Sequence, residues 1–268
     1  MCLILLAWRA HSDYPLIVAA NRDEYFHRPT ATAEFWCDKN QPNLLAGRDL
    51  QAGGTWMGIT RDGRFAALTN YRQKEDRQID TPSRGIIVSH FLSKHQPAET
   101  CLADMTKHFA DYRGFNLLCG TLDDGLWHYA NRDASGQPGH RMQALAPGIY
   151  GLSNNLLDAP WPKVAQGKSD LAQALDALPR EAPLFDLLRD ERMHDDARLP
   201  RTGVSLDWER MLSAAFVRAP GYGTRSSTVI KLSRDGFLSF DEQTWQADTQ
   251  PGQRRRFRFK LSRASRMC

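Results

Sequence analysis

Residues 2–8 (CLILLAW) and 16–20 (LIVAA) are two short, nearly uninterrupted apolar runs, separated by a polar stretch that places Ser12-Asp13 in a turn. Runs of this length without alternation read as buried strands. Two such strands open the protein. Asn21-Arg22-Asp23-Glu24 follows at once, so four polar residues stand at the end of a buried strand, where side chains can converge on a site. The same apolar start is not a secretory signal, because no positive region precedes it and Arg9 interrupts it too early.

Downstream, residues 56–60 and 64–70 flank Arg61-Asp62-Gly63, and residues 115–121 and 126–130 flank Asp123-Asp124-Gly125, each the pattern of a hairpin. A further strand pair is expected across residues 141–145 and 149–153. Helical spacing of apolar residues appears over 83–94 (Ile87, Phe91, Leu92) and 99–109 (Leu102, Met105, Phe109). Pro160-Trp161-Pro162 opens another helical stretch to about residue 178, with shorter ones near 184–189 and 207–216. Residues 224–232, 237–240 and 255–261 return to strand. Strand blocks separated by helical material, without one-to-one alternation, predict an α+β fold of antiparallel sheets covered by helices, in one domain over residues 1–268.

Thirty-five Lys and Arg against 31 Asp and Glu give a formal charge of +4, which taken alone suggests a nucleic-acid partner. The charge is not spread evenly. Residues 251–268 hold seven basic side chains and no acid, leaving 28 basic against 31 acidic residues before them, a balance of −3. Phe257, Phe259 and Leu261 alternate with Arg256, Arg258 and Lys260, the period of a charged edge strand with one apolar face. No nucleic-acid partner is therefore expected. Five unpaired-looking cysteines (Cys2, Cys37, Cys101, Cys119, Cys268) fit a reducing, cytoplasmic setting, and no stretch is long enough for a transmembrane helix, so no integral membrane protein is expected.

Cys2 is the candidate nucleophile. Removal of Met1 would leave one residue carrying both a thiol and an α-amine, a base whose ordinary pKa is about 7.7–8.0. Arg22 or Arg225 close to the thiol would favour the thiolate. By position alone, a small apolar residue starting a buried strand accounts for Cys2 better, since buried cysteines are common and mostly inert. Asn21 to Glu24 read alternatively as a turn, since Asn-Arg-Asp recurs at Asn131-Arg132-Asp133. Gly167-Lys168-Ser169 imitates a phosphate loop but has Pro162 where that motif needs glycine. No dinucleotide fingerprint, zinc motif or covalent haem attachment is present, so no cofactor is required. Non-covalent haem needs only one axial His, Cys or Tyr.

Met1-Cys2-Leu3, Asn21-Arg22-Asp23-Glu24, Gly53-Gly54-Thr55-Trp56-Met57-Gly58, Ala67-Leu68-Thr69-Asn70-Tyr71-Arg72, Leu152-Ser153-Asn154-Asn155 with Pro160-Trp161-Pro162-Lys163, and Tyr222-Gly223-Thr224-Arg225-Ser226-Ser227-Thr228-Val229 together resemble the NRDE family. The resemblance implies an N-terminal-nucleophile hydrolase type fold, a four-layer α-β-β-α sandwich. A more distant resemblance, to the bile salt hydrolase and penicillin V acylase amidases, implies catalytic roles. Cys2 matches their nucleophile, Arg22 and Asp23 the pair that holds it and its amine, Asn70 and Asn154 the oxyanion hole, and Arg225 a late arginine near the nucleophile. Their Arg and Asp are separated by two residues, whereas here they are adjacent, and Glu24-Tyr25 offers an alternative acid-aromatic match. Glu24, Trp56 and Tyr71 are the candidate substrate contacts. The implied activity is hydrolysis or transfer of a linear amide or related acyl group. The alternative implied by the family is binding and trafficking of haem or a lipid ligand without turnover.

Overall fold

The computed structural model describes residues 2–73 and 81–262, the side chain of Lys39 excepted; Met1 and the last six residues of the basic tail lie outside the described part. The chain begins with β1 (Cys2–Trp8), β2 (Leu16–Tyr25), β3 (Thr30–Trp36), β4 (Gln41–Asp49), β5 (Met57–Thr60) and β6 (Arg64–Asn70). Helices α1 (Gly85–Leu92) and α2 (Ala98–Thr106) follow, then β7 (Phe115–Thr121), β8 (Gly125–Arg132), β9 (Pro138–Ala144) and β10 (Gly148–Leu152). Next come α3 (Pro162–Leu175), α4 (Ala182–Leu188) and α5 (Leu206–Met211). The last elements are β11 (Arg218–Ala219), β12 (Tyr222–Leu232), β13 (Phe237–Trp245) and β14 (Pro251–Lys260).

Every strand pairing is antiparallel. One sheet runs β10-β1-β2-β12-β13-β14 with β11 beside β12, and the other runs β3 to β9 in chain order. The uninterrupted apolar run of β1 now has its explanation. Ile4, Leu6 and Trp8 pack between the sheets with Val18, Phe65, Ala67 and Leu118, while Leu3, Leu5 and Ala7 pack outward under Val164 and Leu171 of α3 and Leu184 of α4. All seven residues are buried, so no alternation can show. The second sheet is covered likewise, with Ala66, Leu68, Leu117 and Tyr129 against Ile87, Phe91, Leu102 and Met105 of α1 and α2. The layers are α-β-β-α, as expected. Close approach of α3 to β1 requires Gly167, because a Cβ there would lie 2.8 Å from Leu5 Cδ2.

Two sequence expectations are corrected. Residues 141–145 and 149–153 are not a strand pair: β9 stays on β8, whereas β10 crosses to pair with β1. Ala146-Pro147 carries the chain from one sheet to the other, since Leu145 N–H still bonds Leu126 of the second sheet. The helix expected over 207–216 ends at Met211, and Phe216 turns away to bond the Asp190 carbonyl. Strands β3 and β4 escaped the periodicity reading because register shifts interrupt their pairing.

The described part of the basic tail forms the edge strand β14, as its alternation predicted. Phe257 and Phe259 pack edge-on against Phe35 of the opposite sheet at 5.8 and 5.7 Å. These partly buried rings hold the strand from one face, and Arg256 Nε pairs with the buried Asp241 carboxylate at 2.9 Å.

Candidate active site

The site forms where the central strands of the first sheet end. Cys2 lies directly opposite Arg22 on β2, and Ser226 of β12 faces Arg22 from the other side, with the register slipping between Thr224 and Ser226. The slip places Arg225 in the bulge. Asn21 to Glu24 are part of β2 and not a turn. Along β2, Val18 and Ala20 face the inter-sheet core while Ile17 and Ala19 face the helices; by this alternation Arg22 and Glu24 follow the first face, Asn21 and Asp23 the second.

A cleft of about 510 Å³ opens between the sheet ends. Seven of the nine candidate residues line it: Cys2, Arg22, Asp23, Glu24, Trp56, Asn70 and Arg225. Asn154 is buried behind it, where its Nδ2 donates to the Asn70 carbonyl at 2.9 Å and so fixes that peptide. Tyr71 points elsewhere: its hydroxyl donates to the Asp133 carbonyl at 3.4 Å and its ring abuts Gly136. Glu24 accepts from the Tyr25 N–H and lies 3.7 Å from Arg22 Nη2.

Cys2 is 8% exposed. Ser153 Oγ donates to its carbonyl at 3.0 Å, tying the end of β1 to the segment after β10. Burial pushes the Cys2 thiol up, and the Asp23 charge pushes the same way; Arg22 and the Asp23 backbone N–H on the sulfur oppose them. Burial outweighs the arginine, so the thiol lies above its ordinary value although Arg22 acts in the direction that favours the thiolate. Arg225 is engaged elsewhere, donating to the carbonyls of Tyr25 and Arg28 at 2.8 and 3.0 Å and to Thr30 Oγ1 at 3.1 Å. It braces the β2–β3 turn that forms one cleft wall.

Asp23 and Asn21 are anchored on the helix-covered side. Thr224 Oγ1 donates to Asp23 Oδ1 at 2.8 Å and accepts the Val217 N–H at 2.9 Å. Burial pushes the Asp23 carboxyl up; Lys163 is the strongest opposing influence. Asn21 Nδ2 donates to the carbonyls of Leu188 and Ala215, and Ser227 Oγ donates to its Oδ1 at 2.6 Å.

Three contributors had no assigned role in the sequence reading. Lys163, the second residue of α3, is buried, and burial lowers its amine to about 8. Glu209 of α5 accepts from the Thr202 N–H and hydroxyl and lies 3.3 Å from Arg72 Nη2. Glu242 of β13 lines the cleft and accepts the Ala33 N–H at 2.7 Å, joining the two sheets; burial raises its carboxyl. The available signal was a lysine on the apolar stripe of α3 beside Val164, Gly167 and Leu171. Among the described residues no group of three or more His, Cys, Asp or Glu is arranged to hold a metal ion, and no helix is long and apolar enough to cross a membrane.

Fold and site define a four-layer α-β-β-α protein whose central strand begins, at a cysteine, on an inter-sheet cleft. The chain belongs to the Transport and Golgi organisation 2 family, whose family model matches residues 1–247. It is 37% identical over 267 residues to the human Transport and Golgi organization protein 2 homolog, covering 91% of this chain and 93% of that protein. The Drosophila melanogaster protein is 26% identical over 266 residues, covering 91% and 92%. Among solved structures, penicillin V acylase from Agrobacterium tumefaciens is similar with a TM-score of 0.46 at 11% identity, covering 97% of this chain and 86% of that one. The conjugated bile acid hydrolase of Clostridium perfringens gives 0.46 at 8% identity, with 98% of each chain covered.

Proposed function

We propose that the protein hydrolyses or transfers a linear amide or related acyl group, with Cys2 as nucleophile. The observation that carries this reading is the placement of Cys2 on the cleft, opposite Arg22, with the Asp23 N–H directed at its sulfur. With Met1 removed, the Cys2 α-amine takes the thiol proton as sulfur attacks the substrate carbonyl. The carbonyl π electrons move to oxygen, which the Asn70 backbone N–H and the Arg22 guanidinium stabilise. Collapse breaks the bond to the leaving group, which departs with the proton from the ammonium. Water then adds to the thioester, giving its proton to the amine, and the departing sulfur recovers that proton as the acid is released. A protonated resting thiol suits this route, because the amine generates the thiolate only as it attacks.

Turnover of N-acyl 4-nitroanilides of graded chain length tests the reading. Hydrolysis by the wild type that falls at least about 100-fold in Cys2→Ala supports it; turnover that Cys2→Ala leaves unchanged, or none with any acyl chain, overturns it.

One observation favours a second reading, ligand carriage without turnover. A groove of about 390 Å³ between α1 and α2 combines Ile86, Ile87, Met105 and Phe109 with His90, His108 and Cys101. Apolar walls with an imidazole or thiol donor suit haem, and burial lowers His90 toward the neutral form that ligates iron. A saturable Soret shift on haemin titration, lost in His90→Ala with His108→Ala, supports carriage; no shift at micromolar protein removes it.

A further inference from the structure

The wall of the cleft farthest from Cys2 carries a buried carboxyl whose structural duty occupies one of its two oxygens. Glu242 is 4% exposed and lines the cleft. Phe240, two residues earlier on β13, packs between the sheets, so by strand alternation Glu242 points the same way. Its Oε1 accepts the Ala33 N–H of β3 at 2.7 Å, and Arg255, directly opposite it on β14, donates to the Ala33 carbonyl at 3.3 Å. Among the described residues no ion pair and no second hydrogen bond reaches Glu242. Its Oε2 lies beside Gly47, another residue of the cleft wall, 3.5 Å from where a Cβ would stand.

A brace between the sheets does not need a charge. Glutamine would accept the same N–H without the cost of burying a carboxylate, whose two oxygens offer about four acceptor sites. The neighbouring position repeats the imbalance. Thr228, directly opposite Glu242 on β12, is 1% exposed, and its Oγ1 has no hydrogen-bond partner among the described residues. The same cross-strand row continues through Ala20 and Ile4, both apolar. Buried polar groups short of partners at a cleft wall are where a ligand's polar atom is fixed.

The sheet sets the distance. Cys2, Arg22, Ser226 and Thr244 form one row across β1, β2, β12 and β13, and Glu242 stands one step deeper on the same face of β13. Three inter-strand steps of about 4.8 Å put β13 roughly 14 Å from Cys2, a span that an extended chain advancing about 1.2 Å per bond covers in about 12 bonds. Charge selects the group at its end. Arg22, Arg28, Arg48 and Arg225 also line the cleft and disfavour an ammonium, whereas a carboxylate would meet Glu242. A hydroxyl suits the site in either protonation state, donating to the carboxylate or accepting from the acid, and burial raises this carboxyl.

We propose that Glu242 is the far-end subsite of the cleft and takes a hydroxyl carried about 12 bonds from the carbonyl that Cys2 attacks. That distance rests on the proposed function; the hydroxyl site itself does not.

The test is calorimetric titration of the full chain with 12-hydroxydodecanamide and with dodecanamide, neutral amides that differ by that hydroxyl. Wild type should bind the hydroxy amide at least about 10-fold more tightly, as for a hydrogen bond to a charged acceptor. Glu242→Leu should bring the two affinities together. Glu242→Gln keeps the Ala33 bond and a neutral partner for the hydroxyl, so it should retain part of the preference, reduced by at least about threefold. Equal affinities in wild type, a preference that Glu242→Leu leaves unchanged, or no binding of either amide at millimolar concentration overturns the proposal. If Glu242→Leu does not fold, Glu242→Gln decides, and a preference equal to that of wild type overturns it. The titration needs no turnover. A hydroxyl preference in a chain that hydrolyses none of the acyl anilides sinks the catalytic reading alone, and hydrolysis without the preference sinks this one alone.

Discussion

Replacing Thr224 by valine keeps shape and removes one hydroxyl, which makes it a sensitive probe of how Asp23 is held. That hydroxyl donates to Asp23 Oδ1 at 2.8 Å and accepts the Val217 N–H at 2.9 Å, and Thr224 is 1% exposed. A hydrogen bond to a charged acceptor is worth about 1.5–3 kcal/mol and an orphaned buried N–H costs about 1–3 kcal/mol, so a loss of about 3 kcal/mol is expected at pH 7. The loss should depend on pH with a definite sign. The hydroxyl lowers the Asp23 pKa against the larger effect of burial. Thr224→Val therefore raises the folded-state pKa further, and its folded form takes up a proton at higher pH than wild type. The difference in stability is largest above the Asp23 pKa and shrinks as pH falls through it, by about 1 kcal/mol, because a neutral acceptor gains less from the bond. Urea unfolding of both proteins at pH 7 and pH 4 measures this. A loss below about 1 kcal/mol at pH 7, or one that grows toward pH 4, would refute the picture of a buried carboxylate held by Thr224.

Three further outcomes follow from the same geometry. Iodoacetamide should modify Cys2, which faces the cleft, faster than Cys101 or Cys119, each 1% exposed, as read by peptide mass; equal rates would show that the cleft gives no access to the sulfur. Gly54→Ala should lower the melting temperature, because its Cβ would run into the Gly85 carbonyl carbon and lie 2.7 Å from the Ile86 nitrogen, and overpacking of this kind costs about 1–3 kcal/mol; an unchanged melting curve would contradict it. Lys163, lowered to about 8 from an unfolded value of about 10.4, binds fewer protons folded than unfolded between those limits. Wild-type stability should therefore rise with pH across that window relative to Lys163→Met, and a flat difference in urea unfolding would contradict the burial of a titrating amine.

The parts of the fold legible in the sequence were those whose packing leaves a local trace. Uninterrupted apolar runs marked β1 and β2 because both of their faces are covered, and alternation marked β14 because only one is. The crossing of β10 to β1 left no such trace. Nothing in residues 141–153 distinguishes a hairpin from two strands that part for different sheets, since the difference lies in partners more than a hundred residues away, such as Ile4 opposite Leu152. The site behaves the same way. Cys2, Arg22 and Asp23 were legible as polar residues at strand ends, and register brings them together. Asn154 lies behind the cleft, where its amide donates to the Asn70 carbonyl. Lys163 was visible only as a lysine on an apolar helical stripe, because the charges that act on it lie on strands and a helix distant in sequence.

In the proposed reaction Cys2, as an amino-terminal residue, is acylated by substrate. Mass spectrometry of the purified chain after brief incubation with 4-nitrophenyl butyrate and acid quench tests this most directly. The expected product is a chain lacking Met1 that carries one butyryl group on the Cys2 peptide, labile to hydroxylamine. Retention of Met1, or a butyryl group found on other residues and absent from Cys2, would contradict it.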